Sequence, residues 1–276
     1  MSKKFRKYTI LINSKKVSYW QKNDSKKKAI VFLHGFPGSH RGLISVANGL
    51  DDYRLIIPDL PGCGQSEPLK KSYHLKHYAE WFNNLLDNLS VDKVTVIGHS
   101  FGARLALVFS EHYSKRIEKM ILITPVVNVE GMIARVASLE YKIAEILPKR
   151  LQKMWLSNKL YQDLAHLIIY KSASEKRKEE LIKMDSVVYK LIDPATTIGV
   201  FEEFYKHSLI PQIDNIKTNT LVIASDKDEI APLDEVNVLA DHLIHSKIVV
   251  MKNSGHLVVL ERPITTATLI KKWLKS

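Results

Sequence analysis

Short apolar runs that alternate with helical stretches along the first half of the chain constrain its fold more than any other feature. The runs are rich in β-branched residues and mostly uninterrupted, which is typical of strands buried on both faces of a sheet. A regular succession of strand and helix predicts an α/β fold: a mostly parallel sheet of about eight strands, flanked by helices. The predicted strands are Tyr8–Ile12, Val17–Trp20, Ala29–Leu33, Leu55–Ile57, Val94–Ile97, Met120–Ile123, Thr220–Ala224 and Lys247–Met251.

The first two runs differ from the others because they alternate more and flank Asn13-Ser14. This pattern predicts an antiparallel hairpin at the edge of the sheet. In the core, apolar residues recur at helical spacing in His77–Leu89 and Phe101–Tyr113, and Thr266–Leu274 is expected to close the chain as a helix.

Residues 126–211 contain no strand signal. Amphipathic helical patterns fill this segment, and proline residues separate some of them. The predicted helices are Met132–Leu147, Leu151–Tyr170, Glu175–Ile192 and Thr196–His207. We therefore expect a helical insertion, residues 126–211, within a core domain formed by residues 1–125 and 212–276.

The net charge of +12 is concentrated at the start of the chain, where residues 1–28 hold ten Lys/Arg and one Asp. Most of the cations are lysine, whereas arginine is the residue that reads guanine edges and stacks on bases. A lysine-coated, solvated hairpin is therefore favoured over a nucleic-acid surface, and we expect no nucleic-acid partner.

Other features of the composition limit the environment and the chemistry. One cysteine excludes an internal disulfide and fits a reducing compartment. The basic start is followed by a stretch too short and too polar for a secretory signal, and no apolar run approaches the roughly 18 residues of a spanning helix. We expect a cytoplasmic protein without stable membrane association. Since metal-ligand spacings and phosphate-binding glycine patterns are missing, we also expect no metal and no cofactor.

Gly98-His99-Ser100-Phe101-Gly102 carries the strongest chemical signal. It directly follows a predicted strand and directly precedes a predicted helix, which is the setting of a G-x-S-x-G nucleophile elbow. A turn this tight holds its serine in a strained conformation and leaves no room for side chains two residues before and after it. The helix then points its N-terminus at the hydroxyl, where the Phe101 N–H can bind a developing oxyanion.

A serine hydroxyl needs a base, and the base needs an orienting acid. Asp228 and His256 each lie just past a predicted strand in the second half of the chain. In a parallel sheet these loops emerge at the same carboxyl edge as Ser100. Asp226 lies two residues from Asp228 and can point the same way on an extended segment, so it remains an alternative acid.

These motifs resemble the α/β-hydrolase fold superfamily over essentially the whole chain, in its serine hydrolase or esterase form with a helical cap. The matching pieces are His34-Gly35-Phe36-Pro37-Gly38, Asp59-Leu60-Pro61-Gly62-Cys63-Gly64-Gln65-Ser66, the Ser100 elbow, the Asp228 loop, and Gly255-His256 followed by Glu261 and Pro263. One departure is Ala103, where relatives often have a second glycine. Alanine is small enough for the same close approach of helix and strand.

The resemblance implies Ser100 as nucleophile, His256 as base and Asp228 as acid. It also implies an oxyanion hole formed by the N–H groups of Phe36 and Phe101. Residues 126–211 then correspond to the cap that roofs the pocket.

Further residues are expected to support or line the site. His34 and Gly35 are expected to support the site, and His34 is expected to hold the oxyanion loop by a side-chain hydrogen bond. His99 is expected to line the pocket. Met132, Met154, Trp155 and Tyr161 are candidates for an acyl pocket in the cap, although most apolar residues of a cap simply pack it. Glu202 and Glu203 are interpreted as a solvated helix face.

The leading hypothesis is a serine esterase that acts on a small to medium, mainly apolar ester. A thioesterase, a carbon–carbon bond hydrolase and an iminopeptidase would use the same triad, and their differences reside in the pocket. The iminopeptidase is weakened by Asp59-Leu60-Pro61-Gly62, which departs from the form associated with that family. A small-molecule-binding or sensing protein with vestigial catalysis is the alternative from another class.

Overall fold

The computed structural model describes residues 4–128, 141–156, 175–206 and 213–276, together with residues 139, 158, 163, 166, 169, 170 and 173. Its strands are β1 (Arg6–Ile12), β2 (Lys15–Lys22), β3 (Ala29–Leu33), β4 (Arg54–Pro58), β5 (Val94–His99), β6 (Ile117–Ile123), β7 (Thr220–Ser225) and β8 (Ser246–Met251). They form one sheet in the order β1-β2-β4-β3-β5-β6-β7-β8, in which only the β1–β2 and β2–β4 pairs are antiparallel. The prediction of a mostly parallel sheet of about eight strands is confirmed.

The edge hairpin also forms as predicted. Asn13 and Ser14 connect β1 to β2 with φ angles of 51° and 62°. Two positive φ values in a two-residue connection are those of a turn that matches the twist of the flanking strands, and short polar residues tolerate them best.

The helices are α1 (Ile44–Ala47), α2 (Leu75–Asn88), α3 (Phe101–His112), α4 (Lys149–Leu156), α5 (Glu175–Leu191), α6 (Pro194–Lys206), α7 (Leu233–His242), α8 (Val258–Glu261) and α9 (Pro263–Leu274). Residues 139 and 141–146 are also helical. The sequence interpretation missed α1, α7 and α8, and α9 begins at Pro263, a residue that suits the first turn of a helix. The parts of the predicted helices that lie outside the described residues are residues 132–138, 140, 157, 159–162, 164, 165, 167, 168 and 207.

Two apolar cores cover the two faces of the sheet. Alternate side chains of β3 point to opposite faces, so that Val31 and Leu33 pack with α2 and α3 while Ile30 and Phe32 pack with α1 and α9. All five residues of β3 are buried, and this burial on both faces explains why its sequence is uninterrupted and apolar.

The described residues between β6 and β7 contain regular secondary structure of one kind, α-helix. Within the described chain, no helix combines the length and the apolar content needed to cross a bilayer.

Helix α6 is joined to the core by the loop that follows β4. Gly62 has a φ of +77°, and a Cβ there would lie 2.0 Å from Thr196 Oγ1, on the first turn of α6. The Asp193 N–H donates to the Gly62 carbonyl at 3.0 Å, just before the helix begins. Glu203, further along α6, accepts hydrogen bonds from His74 Nδ1 and Leu75 N at the start of α2.

The burial of Glu203 corrects the expectation of a solvated face. Glu203 is 7% exposed, and its carboxylate faces the N-terminus of α2, where backbone N–H groups and the helix dipole favour negative charge. This partner cannot be recognised from local sequence patterns because His74 and Glu203 are 129 residues apart.

Replacing Gly62 tests the connection between the loop and α6. Because alanine there would need both a strained φ and a displacement of Thr196, Gly62→Ala should lower the free energy of unfolding by at least about 2 kcal/mol. The matched control is Gly42→Ala, since a Cβ at Gly42 meets no atom within 4 Å. Urea unfolding of the three proteins measures the difference. Equal stability of the two variants would contradict the close packing.

Candidate active site

The turn between β5 and α3 holds Ser100 in a strained conformation, with φ 53° and ψ −114°. The flanking glycines make the turn possible. A Cβ at Gly98 would lie 2.3 Å from the Gly102 carbonyl oxygen, and one at Gly102 would lie 2.0 Å from the Leu33 carbonyl oxygen. Any side chain at either position would push α3 away from the sheet, and Ser100 would move with it.

Ser100, His256 and Asp228 form one hydrogen-bonded relay. His256 Nε2 lies 2.9 Å from Ser100 Oγ, and His256 Nδ1 lies 2.9 Å from Asp228 Oδ2 and 3.1 Å from Oδ1. All three residues are buried. Since a carboxylate accepts at Nδ1, the network places the imidazole proton there and leaves Nε2 free to accept the Ser100 hydroxyl proton.

The two candidate acids lie in different surroundings. The side chain of Asp228 is fully buried, and its Oδ1 accepts the backbone N–H groups of Ile230 and Ala231 at 2.9 and 2.8 Å. Asp226 instead accepts the Ser254 N–H at 3.3 Å, and hydrogen bonds from the backbone of Asn253 and Ser254 lower its pKa. The structure therefore brings Asp228 to His256, while Asp226 fastens the loop that carries the histidine.

The loop after β3 lies directly against the nucleophile. A Cβ at Gly35 would lie 3.1 Å from Ser100 Cβ and 2.9 Å from His99 Nδ1, so only glycine fits without displacing a neighbour. The rings of Phe36 and Phe101 are 6.1 Å apart, edge to face. The peptide groups proposed for the oxyanion hole thus come from segments that converge on Ser100.

The side chain of His34 holds this loop through two hydrogen bonds. Its Nε2 accepts the Leu60 N–H at 3.0 Å, which leaves Nδ1 as the donor to the Gly35 carbonyl at 2.8 Å. Burial lowers the pKa of His34, so the ring stays neutral and keeps both hydrogen bonds. This is the side-chain contact to the oxyanion loop that the sequence suggested.

His99 has a more specific position than the sequence suggested. Its Nε2 lies 3.1 Å from the backbone carbonyl of His256, and Thr124 Oγ1 donates to the same oxygen at 3.0 Å. Burial, together with the neighbouring His256, lowers the pKa of His99 to about 3. A neutral His99 and Thr124 therefore fix the backbone of the base from two directions. Sequence reasoning missed Thr124, whose only sequence signal is its place directly after β6 at the same sheet edge.

A second buried bridge ties the oxyanion loop to the loop after β4. Asp59 Oδ1 accepts both the backbone N–H and the Nδ1–H of His40 at 2.8 Å, and Oδ2 accepts the Gln65 N–H at 2.9 Å. Burial raises the pKa of Asp59, but the hydrogen bonds and charge of His40 outweigh burial and hold it below its usual value. The ring of His40 also stacks on Trp20.

The described residues enclose a cavity of about 90 Å³ beside Ser100 and His256. Its other walls are mainly apolar and include Leu43, Leu260 and two residues from the segment between β6 and β7, Ile169 and Val188. His34, Gly35 and His99 also line it, as expected.

Two of the four acyl-pocket candidates lie on α4. Met154 and Trp155 are 67% and 36% exposed there, and neither lines this cavity. The structure therefore does not bring them to the site. Met132 and Tyr161 lie outside the described residues. Across the described part of the chain, no group of three His, Cys, Asp or Glu side chains is arranged to hold a metal ion.

Comparisons with known proteins agree with this architecture. A family model described as alpha/beta hydrolase fold matches residues 28–263. Lipase 1 of Psychrobacter immobilis is 25% identical, and the match covers 93% of this chain and 80% of the lipase. A putative 2-succinyl-6-hydroxy-2,4-cyclohexadiene-1-carboxylate synthase of Bacillus subtilis (strain 168) is 29% identical, with 90% of this chain and 91% of that protein covered.

Solved structures give the same fold. The crystal structure of the enol-lactonase from Burkholderia xenovorans LB400 superposes with a TM-score of 0.84, covering 98% of this chain and 100% of that chain. Sequence identity to it is 17%, so this likeness shows the fold alone.

The low pKa of His99 predicts sensitivity to acid. His99 binds a proton in the unfolded chain below about pH 6.5 but in the folded protein only near pH 3, so its contribution to stability is complete above pH 6.5 and is lost as the pH falls. His99→Gln removes this proton uptake. Between pH 6.5 and about pH 4.5 the variant should therefore lose about 2 kcal/mol less of its unfolding free energy than the wild type.

Urea unfolding across this pH range measures the effect. His112→Gln, a change at the exposed end of α3, is the matched control and should keep the pH dependence of the wild type. A His99→Gln protein with an unchanged pH dependence would show that His99 is not held neutral.

Proposed function

The chain belongs to the α/β hydrolase fold family, and we propose that it is a serine hydrolase that cleaves a carboxylic ester through an acyl-enzyme on Ser100. The observation that carries this proposal is the buried relay from Asp228 through His256 to a strained Ser100. A protein that only binds a ligand needs neither a base nor an acid aligned on a serine, so the relay favours catalysis over a sensing role.

In the first half of the reaction, His256 Nε2 takes the proton of Ser100 as Oγ attacks the ester carbonyl. Asp228 stabilises the imidazolium that forms and keeps the ring in position. The N–H groups of Phe36 and Phe101 donate to the oxyanion, and each such donor contributes about 3–4 kcal/mol to lowering the barrier. The alcohol then leaves with the proton held on His256.

In the second half, water attacks the acyl-enzyme. His256 Nε2 removes a proton from that water, the same two N–H groups bind the second oxyanion, and Ser100 leaves with its proton restored. The hydrogen bonds from His99 and Thr124 to the backbone carbonyl of His256 keep this residue in one place through both proton transfers.

The proposed substrate class is a mainly apolar ester with a short acyl group. Its support is the apolar cavity of about 90 Å³, which is well below the roughly 300–1,000 Å³ of pockets for larger ligands. The name of the Psychrobacter relative supports the ester bond. We assign the roof of this site to a helical cap, residues 126–211, which contributes Ile169 and Val188 to the cavity and rests on the core domain through α6. A cytoplasmic location remains a prediction from composition.

A second candidate is a synthase of the kind named for the Bacillus relative. It is favoured by the 29% identity and by the nearly equal lengths of the two proteins. Both candidates would use His256 as a base, so an assay on esters separates them.

Esters of p-nitrophenol with acyl groups from acetyl to decanoyl test the proposal. The wild type should hydrolyse the shortest members fastest, because the cavity has little room for a long chain. Ser100→Ala should fold normally, as a thermal melt will show, and lose nearly all turnover. Turnover retained in this variant would overturn the acyl-enzyme. Labelling of Ser100 by a fluorophosphonate without ester turnover would favour the second candidate.

Paired substitutions test which aspartate acts as the acid. Asp228→Asn should lower kcat for the best ester by at least about a thousandfold, because the neutral amide cannot hold His256 in the required tautomer. Asp226→Asn, the matched control, should leave kcat nearly unchanged because that side chain bonds to Ser254 and not to the histidine. A larger loss in Asp226→Asn than in Asp228→Asn would reverse the assignment.

A further inference from the structure

Large apolar side chains are exposed together on the helical segment that follows β6. Of the eleven most exposed large apolar residues in the described chain, five lie between residues 139 and 155. They are Leu139, Ile146, Leu151, Met154 and Trp155, which we call the apolar patch, with exposed fractions of 61%, 82%, 41%, 67% and 36%. Single exposed apolar residues are ordinary, but a cluster of this kind marks a surface that contacts something.

Helical residues 139 and 141–146 have two distinct faces. Tyr141 and Ala144 are buried, at 7% and 0% exposure. Leu139, Lys142 and Ile146 are exposed at the spacing of the opposite face. This helix therefore packs one apolar face on the protein and turns a second one outward.

Helix α4, on the other side of Pro148, also exposes apolar side chains. None of its residues is buried. Leu151, Met154 and Trp155 follow the i, i+3, i+4 spacing of one face, whereas Lys149 and Lys153 are one turn apart on another. A short helix with Trp and Leu on one face and lysine on the other is typical of segments that lie at a lipid surface.

Charge decides between the possible occupants of the patch. Lys142, Lys149, Arg150 and Lys153 lie in the same stretch of the chain as the patch and are all exposed, whereas Glu145 is the exposed acid of the described stretch 141–156. Two copies of a cationic surface repel each other, which disfavours a symmetric dimer through this face. A nucleic acid would satisfy the cations but not the five apolar side chains. An anionic lipid surface satisfies both.

The helix that carries Leu139 and Ile146 packs its buried face toward the candidate active site. Tyr141, on the buried face of its helix, stacks on Phe201 of α6 at 3.5 Å. Phe201 in turn meets the ring of Phe36 in the oxyanion loop at 5.7 Å. The ring of Phe201 therefore connects the helix that carries Leu139 and Ile146 to the loop beside Ser100.

We propose that the apolar patch and the exposed cations of the same stretch dock this protein reversibly on anionic lipid surfaces. Docking needs no spanning helix or anchor, and it therefore differs from the stable membrane association that the sequence argues against. The apolar side chains enter the boundary between head groups and acyl chains, and the lysine and arginine side chains pair with anionic head groups. The proposal concerns binding and holds whether or not the bound lipid is a substrate.

Co-sedimentation with vesicles tests the docking without any assay of activity. The wild type should bind vesicles of mixed phosphatidylcholine and phosphatidylglycerol, bind less as salt is added, and bind poorly to phosphatidylcholine alone. The double variant Ile146→Ser/Trp155→Ala should lower the partition coefficient roughly tenfold or more. Ile244→Ser, which changes an apolar residue that is 61% exposed elsewhere, is the matched control and should bind like the wild type.

Charge reversal separates the patch from the basic start of the chain. Lys149→Glu/Arg150→Glu should reduce binding to phosphatidylglycerol vesicles far more than Lys26→Glu/Lys27→Glu, although both change the net charge equally. Leu139→Ser is an independent variant if one of the others fails to fold.

Three results would overturn the proposal. The first is a wild type that does not bind the anionic vesicles, and the second is equal binding by patch and control variants. The third is a dimer in sedimentation velocity that Ile146→Ser/Trp155→Ala dissociates, which would make a second copy the occupant of the patch.

Discussion

The close approach of α3 to the sheet is the constraint on which the site depends. Two missing side chains, at Gly98 and Gly102, let the helix start within contact of the Leu33 carbonyl. The strain at Ser100 is the conformational cost of that approach, and such strain persists only where the surrounding structure enforces it. The neighbours that enforce it are the fully buried strand β3 and the buried second half of β6, and the Ser100 N–H itself donates to the Ile123 carbonyl at 3.0 Å. Rigid packing at the elbow is thus the condition for any reaction at Ser100.

Sequence reasoning works best where one residue type satisfies a local steric demand. The glycines of the elbow, the apolar runs of the sheet and the positive φ turn at Asn13-Ser14 all belong to this class. Helix α7 was missed even though Val236, Leu239 and Ala240 are buried at helical spacing, because the exposed residues between them weaken the pattern in a short segment. Contacts between distant segments lie beyond such reasoning. Asp228, and not Asp226, bonds to His256 because of the position in which the loop after β8 holds the histidine. The burial of Glu203 likewise depends on its contact with the start of α2.

A buried cation shows how the inserted helices and the core share their polar contacts. Arg104, one turn into α3, is fully buried and donates to the carbonyls of Val126 and Val127, where the chain leaves the sheet after β6. Its guanidinium also lies over the ring of Phe204 on α6, 5.1 Å from the centroid. Burial lowers the pKa of Arg104 to about 10, and the charge of Glu203 opposes that change. The helix that carries the nucleophile is thereby connected to both the start and the end of the inserted segment.

The helices between β6 and β7 differ in how extensively they contact the core. Helix α6 is held by the Gly62–Thr196 contact, by Glu203 at the start of α2 and by Phe201 and Phe204 against the rings beside Ser100. Residues 139 and 141–146 rest on α6 through Tyr141, and α4 buries none of its residues. Local opening is least costly where few apolar contacts are lost. Helix α4 lies against α6 but buries none of its own residues, so its outer surface is accessible to a contact outside the protein, while α6 keeps its buried contacts to the rings beside Ser100.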